Sequence, residues 1–400
     1  MYLDFYEIFQ GVNRVEPWSI DSLATYFNMP AKCFAEVAPG VILVIQKWAE
    51  QPIGYLMRGS IFFVNERIAV RGMPKIMYGR VYQEGTPAAV VAEQELLSCL
   101  KHDSIIFEEK LDGVNIRMYC VREKTYFATR MKYDGYSEKG DFIFGNMARD
   151  IVKKKYPGAY ELAASGDVPI FEMLSPRFDY LTIKAKQDDL FLIDVLRQNK
   201  FLQREEKEEL AQQYHLKVPR IISKINRDLS SKQFLKEVKR LEHYAHQLGI
   251  EGVVAKAFAG ESDQVFLKVK TQDVRTEHWG TMGIPRRFIV EAIRNLRAES
   301  TRDEFVNREL ALDKIVEELA DDFIITEKNT QKIEQYYNEE YAIAKTELDA
   351  INRAESLLKE NRFKSKKELA LATKSESTLV RHFLFKFWTD ERLSGGEPNE

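Results

Sequence analysis

Cysteine is scarce in this chain: Cys33, Cys99 and Cys120 are the only three in 400 residues. An odd, scattered set offers neither a disulfide framework nor thiols at zinc-binding spacing, which points to a reducing, intracellular compartment, the cytoplasm being the simplest. Long apolar runs are missing too. No stretch approaches the ~20 residues needed to cross a bilayer, and Met1-Tyr-Leu-Asp-Phe-Tyr-Glu lacks the basic opening of a secretory signal. Charge of one sign is not in excess: 59 basic and 62 acidic residues give a net charge of −3. That balance argues against a uniformly basic chain, yet it leaves room for a basic groove assembled from distant segments. No internal repeat is visible.

What is present is ordinary globular composition, 44% hydrophobic and 30% charged, over a length that suggests two or three domains. Residues 1–95 form an N-terminal α/β extension. It has a short helix over Ser19 to Phe27, strand-like runs Val41–Trp48, Ile53–Met57 and Ile61–Val64, and a basic Gly/Pro loop from Arg71 to Ile76. Residues 96–275 alternate short apolar runs with turns, giving strands at 104–107, 114–121, 125–130, 168–174, 190–196, 252–257 and 264–269. Two amphipathic helices, 203–215 and 231–248, fall between the last of them. From 284 to 390 apolar residues recur at helical spacing, among them Ile333, Tyr337, Tyr341, Ala344, Leu348 and Ile351, which predicts an all-helical C-terminal domain. The last residues, Ser394 to Glu400, are expected to be disordered. The fold class is α+β.

Five segments of the middle region carry charge inside or at the end of apolar runs: Lys110-Leu-Asp-Gly-Val-Asn-Ile-Arg117, Phe127-Ala-Thr-Arg130, Val168-Pro-Ile-Phe-Glu-Met-Leu174, Leu190-Phe-Leu-Ile-Asp-Val195, and the pair Glu251-Gly-Val-Val-Ala-Lys256 with Val265-Phe-Leu-Lys-Val-Lys270. Burying a charge among apolar residues costs several kcal/mol unless it is paired or binds a ligand. One such residue is ordinarily a structural ion pair. Five segments in one region suggest side chains that converge. Lys268 and Lys270, two apart in a strand, face the same side.

In order and spacing these segments resemble the nucleotidyltransferase motifs of polynucleotide ligases and mRNA capping enzymes. Lys-Leu-Asp-Gly-Val-Asn-Ile-Arg, the upstream Arg71-Gly-Met-Pro-Lys-Ile76 and the helical C-terminus are most similar to archaeal-type ATP-dependent RNA ligases. The resemblance implies a nucleotidyltransferase (ATP-grasp-like ligase) domain of antiparallel sheets, flanked by the N-terminal extension and the helical domain. It implies ATP-dependent joining of RNA 5′-phosphate and 3′-hydroxyl ends through lysyl-AMP and RNA-adenylate, circularisation of a single strand included. Lys110 would attack the α-phosphate, with Lys268 and Lys270 supplying positive field and phosphate contacts. Glu172 and Arg130 would address the ribose, Asn115 would lie near the phosphate, and Arg117 completes the motif as a nucleotide-site candidate. Lys256 would add a phosphate contact, Glu109 would help recognise adenine, and Glu251 would hold magnesium, or manganese in its place.

The motif position before Asp194, usually an aromatic that stacks on the base, is Ile193 here. Phe191, two residues earlier, is the alternative base contact. The rival enzymes, a DNA ligase or a GTP-using capping enzyme, carry a β-barrel after the last motif lysines, where this chain turns helical. A non-catalytic RNA-binding protein need not keep the nucleophile, glutamates and lysine pair together. Residues 367–388 have a faint helix-turn-helix look, but without a turn glycine a packed helical hairpin explains them better. The stripe from Ile333 to Ile351 suits helix packing, and the resemblance tilts it toward homodimer formation. No membrane partner is expected.

Overall fold

The computed structural model describes residues 5–45, 52–79, 87–102, 104–137, 140, 142–178, 183–226, 228–258, 265–271, 284, 286–320, 325, 327–360, 363 and 365–394. The tail beyond Ser394 and residues 46–48 of the expected Val41–Trp48 strand lie outside them. Two compact units are formed, Met1–Glu291 and Ala292–Glu400.

The first unit contains three sheets. An antiparallel N-terminal sheet runs β1 (Phe34–Ala38), β2 (Val41–Val44), β3 (Ile61–Phe63), β4 (Ile68–Val70). Both faces of β2 and β3 are covered, and the period-2 alternation divides them cleanly. Ile42, Val44 and Phe62 pack with Phe9 and Leu23 of the N-terminal helices and with Trp18 and Phe27 beside them. Val41, Leu43, Ile61 and Phe63 pack with Tyr119, Val121, Ile170 and Leu196 of the next sheet. The helix Ile20–Tyr26 starts where Ser19 caps it, its side chain accepting from the Ser22 backbone N–H. The expected strand Ile53–Met57 is instead part of a helix, Pro52–Met57. Proline at a first helical position arrives with helical φ, and the short apolar run that followed could not by itself distinguish strand from helix.

The other two sheets form the rest of this unit's strand framework. One is ordered β11 (Lys200–Phe201), β10 (Asp189–Arg197), β9 (Val168–Leu174), β7 (Val114–Val121), β8 (Lys124–Ala128). The other is ordered β12 (Ile221–Asn226), β6 (Ser104–Lys110), β13 (Gly252–Phe258), β14 (Val265–Lys270), β5 (Met77–Tyr78). All pairs are antiparallel except β14–β5. In the second of these sheets Phe107, Val253, Ala255, Leu267 and Val269 face a core closed by Phe234, Val238, Leu241 and Ala245 of the helix Ser231–Gln247. That spacing is one helical face. By alternation Glu108, Lys110, Val254, Lys256, Lys268 and Lys270 then share the opposite face. The α+β class and the antiparallel sheets follow the sequence expectation; β12 and the helices Ile143–Lys155 and Gly158–Ala164 were not among its elements.

The second unit is helical, with Arg302–Val306, Arg308–Ala320, Glu327–Glu360, Lys366–Ala372 and Thr378–Ser394. Ile333, Tyr337, Ala344 and Ile351 are buried within the chain, and the Tyr337 hydroxyl donates to the Phe305 carbonyl at 2.7 Å. The stripe that suggested a dimer is thus largely spent inside the unit. Leu369, Val380, Phe383, Leu384 and Trp388 pack on Ala350, Ile351 and Ala354 of the long helix, as a helical hairpin does.

Candidate active site

Lys110 ends β6 and stands in register with Gly252, which in turn faces Lys270 across β13 and β14. Glu251, one residue before β13, lies between the two ammoniums. It accepts a hydrogen bond from Lys110 Nζ and pairs with Lys270 at 2.9 Å. Burial pushes the Glu251 carboxyl pKa up, but Lys110 and Lys270 outweigh it and hold it down at about 2. The adjoining glycine is required by contact: a Cβ on Gly252 would lie 2.2 Å from the Val269 carbonyl oxygen. Lys268 faces Val254 in register, and its ammonium lies 4.0 Å from the centroid of the Tyr78 ring.

Glu172 comes from the other sheet, where Asn115, Glu172 and Phe191 form one row across β7, β9 and β10. Its carboxyl accepts the backbone N–H of Gly113. Burial, together with Glu251 and Asp112 nearby, outweighs Lys110 and lifts the Glu172 carboxyl to about 8, so near neutral pH it is a carboxylic acid able to donate as well as accept. Gly113 makes this approach feasible. A Cβ there would lie 2.4 Å from the Met173 carbonyl oxygen and 3.1 Å from Glu172 Cγ. Asp112 accepts the Ile183 backbone N–H at 2.9 Å, and burial and Glu251 raise its carboxyl.

Lys110 and Glu172 line a cleft between the sheets, about 440 Å³ counting space open to solvent. Met73, Ile76, Ile193, Pro219 and Val254 give it apolar walls, and Glu108, Glu109, Lys110, Glu172, Asp194 and Lys256 give it polar ones. Its size and mixed lining suit a small polar ligand with an apolar part. Glu109 is held at the rim by Arg220, at 2.7 Å. Met73 and Ile76 come from the Arg71–Ile76 loop. Arg71 itself is a buried anchor, its guanidinium donating to the Asn199 carbonyl at 3.2 Å and lying over the Phe201 ring.

Sequence and structure part at several residues. Arg117, expected at the nucleotide, is 1% exposed and donates to the carbonyls of Arg71 (3.0 Å), Gly59 (2.6 Å) and Thr129 (3.3 Å). It shares the Asn115 face of β7 but lies one period deeper, where the N-terminal segment covers the sheet. Burial lowers its pKa to about 10, still far above neutrality. Lys256, expected on a phosphate, is spent in a buried cluster: it reaches Asp194 at 2.8 Å, Glu108 at 2.9 Å and the Ile193 carbonyl at 2.7 Å. Ile193 lines the cleft; Phe191 is not among the lining residues, and the Lys217 ammonium lies 5.7 Å from its ring centroid. Arg130 follows β8 by two residues, and its backbone abuts Gly59.

The cluster under the cleft is absent from the sequence reading. Arg204 and Lys207, on the helix Arg204–Gln213, each reach Glu108 at 2.7 Å, and Lys207 also donates to the Ile193 carbonyl at 2.7 Å. Burial pushes Glu108 up, but Lys256, Lys207 and Arg204 prevail and hold it at about 2. Burial and the neighbouring Lys256 push Lys207 down to about 7. The available signal was spacing: Arg204, Lys207 and Ala211 are the inner stripe of that helix.

The two facing sheets thus bring a lysine–glutamate–lysine row and a glutamic acid from separate strands to one site. Residues 103–270, which hold every site residue above except those of the N-terminal segment, match the model of the RNA ligase family. Among solved structures the chain is similar to an archaeal ATP-dependent RNA ligase in two forms, each at 16% identity over 85% of this chain and 83% of that one (TM-score 0.47). It is also similar to an Aquifex aeolicus chain assigned as an ATP-dependent DNA ligase, at 18% identity over 95% and 100% (TM-score 0.45). A Naegleria gruberi RNA ligase variant with ATP and Mn matches at 13% identity over 51% and 64% (TM-score 0.35). No curated protein matches.

Proposed function

We propose that this protein is an ATP-dependent RNA ligase that joins 5′-phosphate and 3′-hydroxyl ends, with Lys110 as the nucleophile. The observation that supports this most is the row Lys110–Glu251–Lys270 at the end of an apolar-walled cleft, with the Glu172 acid nearby. The Lys110 lone pair attacks the α-phosphorus of ATP, the Nζ–P bond forms, the bridging P–O bond breaks and pyrophosphate leaves. Lys268 and Lys270 offset charge developing on the phosphate oxygens. An RNA 5′-phosphate oxygen then attacks the AMP phosphorus, returning Lys110 and forming a 5′–5′ pyrophosphate link. Attack by a 3′-hydroxyl on the RNA phosphate expels AMP and seals the strand. When both ends belong to one strand their effective concentration is high, so circularisation competes well with joining two strands.

Glu251 is a buried carboxylate of the oxygen type that magnesium or manganese takes. Among the described residues no group of three or more His, Cys, Asp or Glu side chains is disposed to hold a metal ion. The donor set therefore fits a cation that shares phosphate oxygens and water with Glu251 rather than a protein cage. Bound there, it would neutralise phosphate charge, and Glu251 cannot then also hold Lys110 as an ammonium. Glu172 and Arg130 are assigned to the ribose, Asn115 to the phosphate, Glu109 and Ile193 to the base. Pairing of two chains through the helical unit rests on the resemblance alone; light scattering near twice 46.6 kDa would support it.

Incubation with labelled ATP and magnesium leaves AMP on the wild type and none on Lys110→Ala. Labelling of the Lys110→Ala variant would overturn the assignment, and preference for GTP would favour a capping-type enzyme. Wild-type AMP transfer without sealing of RNA ends would exclude the ligase.

A further inference from the structure

The cleft wall formed by Ile193 is held in an unusual way. On β10, Leu192 faces Phe171 and Asp194 faces Ile170, so Ile193 is an extra residue without a cross-strand partner, a β-bulge. A bulge re-aims side chains, and here it brings both Ile193 and Asp194 to the cleft. It also leaves the Ile193 carbonyl off the β9 ladder. Two buried lysine Nζ groups donate to that oxygen, Lys207 from the helix Arg204–Gln213 and Lys256 from β13, each at 2.7 Å. Both are fixed in turn by Glu108 of β6, at 2.7 and 2.9 Å. The side chains of Glu108, Lys207 and Lys256 are 2–4% exposed. One carbonyl is thus clamped from two separate elements, directly behind the residue that lines the cleft.

We propose that Lys207 and Lys256 are positioning residues that clamp the bulged Ile193 and thereby set which nucleotide base the cleft accepts. This rests on the adenylation reading above, and it gives Lys256 a task other than phosphate binding. A carbonyl held from two directions cannot shift when a base presses on the Ile193 side chain, whereas an unclamped bulge yields to bases of other shapes. Glu108 keeps the two cations at a fixed height, since each bonds a different carboxylate oxygen. Lys207 is the informative position to change. Without it Glu108 still has Arg204 and Lys256, and Asp194 still has Lys256.

The test compares transfer to Lys110 of AMP from ATP, GMP from GTP and ribose 5′-phosphate from ribose 5′-triphosphate, which carries no base. In Lys207→Met, kcat/KM for ATP should fall about tenfold, mostly through KM, and the preference for ATP over GTP should narrow. Ribose 5′-triphosphate should react as in the wild type. Lys207→Gln, which keeps an N–H donor, should recover part of the ATP preference. Ile193→Ala should lose the same preference, and adding Lys207→Met to it should change it no further. Equal losses with ATP and ribose 5′-triphosphate would mark the cluster as structural and overturn the proposal, as would an unchanged ATP to GTP ratio or failure of both Lys207 variants to fold. A wild type that accepts no AMP would overturn the adenylation reading itself and this inference with it.

Discussion

Glu172 is the group whose protonation most strongly ties the site to pH. Its carboxyl is lifted from an ordinary 4.5 to about 8, first by burial and then by Glu251 and Asp112, against the pull of Lys110. The folded protein therefore keeps a proton that the unfolded chain gives up above pH 4.5. Stability falls as pH rises through that window and levels off above 8. The perturbation is Glu172→Gln, which keeps an acceptor for the Gly113 N–H and never ionises. A window of about 3.5 pH units at about 1.4 kcal/mol each gives a ceiling near 5 kcal/mol. The side chain is only partly buried at the cleft, so screening by solvent reduces this to about 2–3 kcal/mol. Nucleotide-free wild type and variant should unfold alike at pH 4.5 in denaturant titrations. The variant should gain progressively to pH 8, reaching a lead of several degrees in the first thermal transition, and the gap should then stay constant. A gap that does not change with pH, or a wild type that is the more stable at pH 8.5, would refute the assigned environment.

Lys256→Met strips Glu108 and Asp194 of a shared buried partner and should cost about 3–5 kcal/mol in urea unfolding, whereas Lys268→Ala should cost under about 1 kcal/mol and act on AMP transfer instead. Arg117→Met leaves three buried carbonyls without their donor and should cost at least about 3 kcal/mol; a folded Arg117→Met with normal stability but raised KM for ATP would return this arginine to the nucleotide. Gly113→Ala forces a Cβ against the Met173 carbonyl and should displace Glu172, which would appear as loss of the pH-dependent gap just described and a more than tenfold slower AMP transfer.

The strands that build the cleft were legible because their pattern is strict. In β13 and β14 one face is apolar throughout, with Val253, Ala255, Leu267 and Val269, and that core face turns Lys268 and Lys270 to the same side. Glu251 was legible as a charge at the start of an apolar run, and the glycine after it is one that the close approach of β13 to β14 demands. Ile53–Met57 was not, since five apolar residues carry no period long enough to separate helix from strand. The Arg71–Ile76 loop was legible as irregular backbone, but not as a segment whose Met73 and Ile76 reach the cleft while its arginine is buried.

Arg117 and Lys256 mark where sequence pattern stops being informative. A charge inside an apolar run must be compensated, but the sequence does not say whether by a ligand or by the chain, because the compensating groups lie far away in sequence. For Lys256 they are Glu108 and Asp194, 148 and 62 residues distant, joined by Arg204 and Lys207 from a helix that the sequence marks only as amphipathic. For Arg117 they are backbone carbonyls, which no side-chain pattern records. What separates a binding charge from a structural one is the local charge count. Around Glu108 and Asp194 three cations meet two carboxylates, with Glu208 half-exposed beside Arg204, so the fold satisfies its own charges there. At the cleft Lys110 lines the wall, with Glu251 between it and Lys270. Positive charge gathered at an opening is the condition under which an incoming polyphosphate gains most.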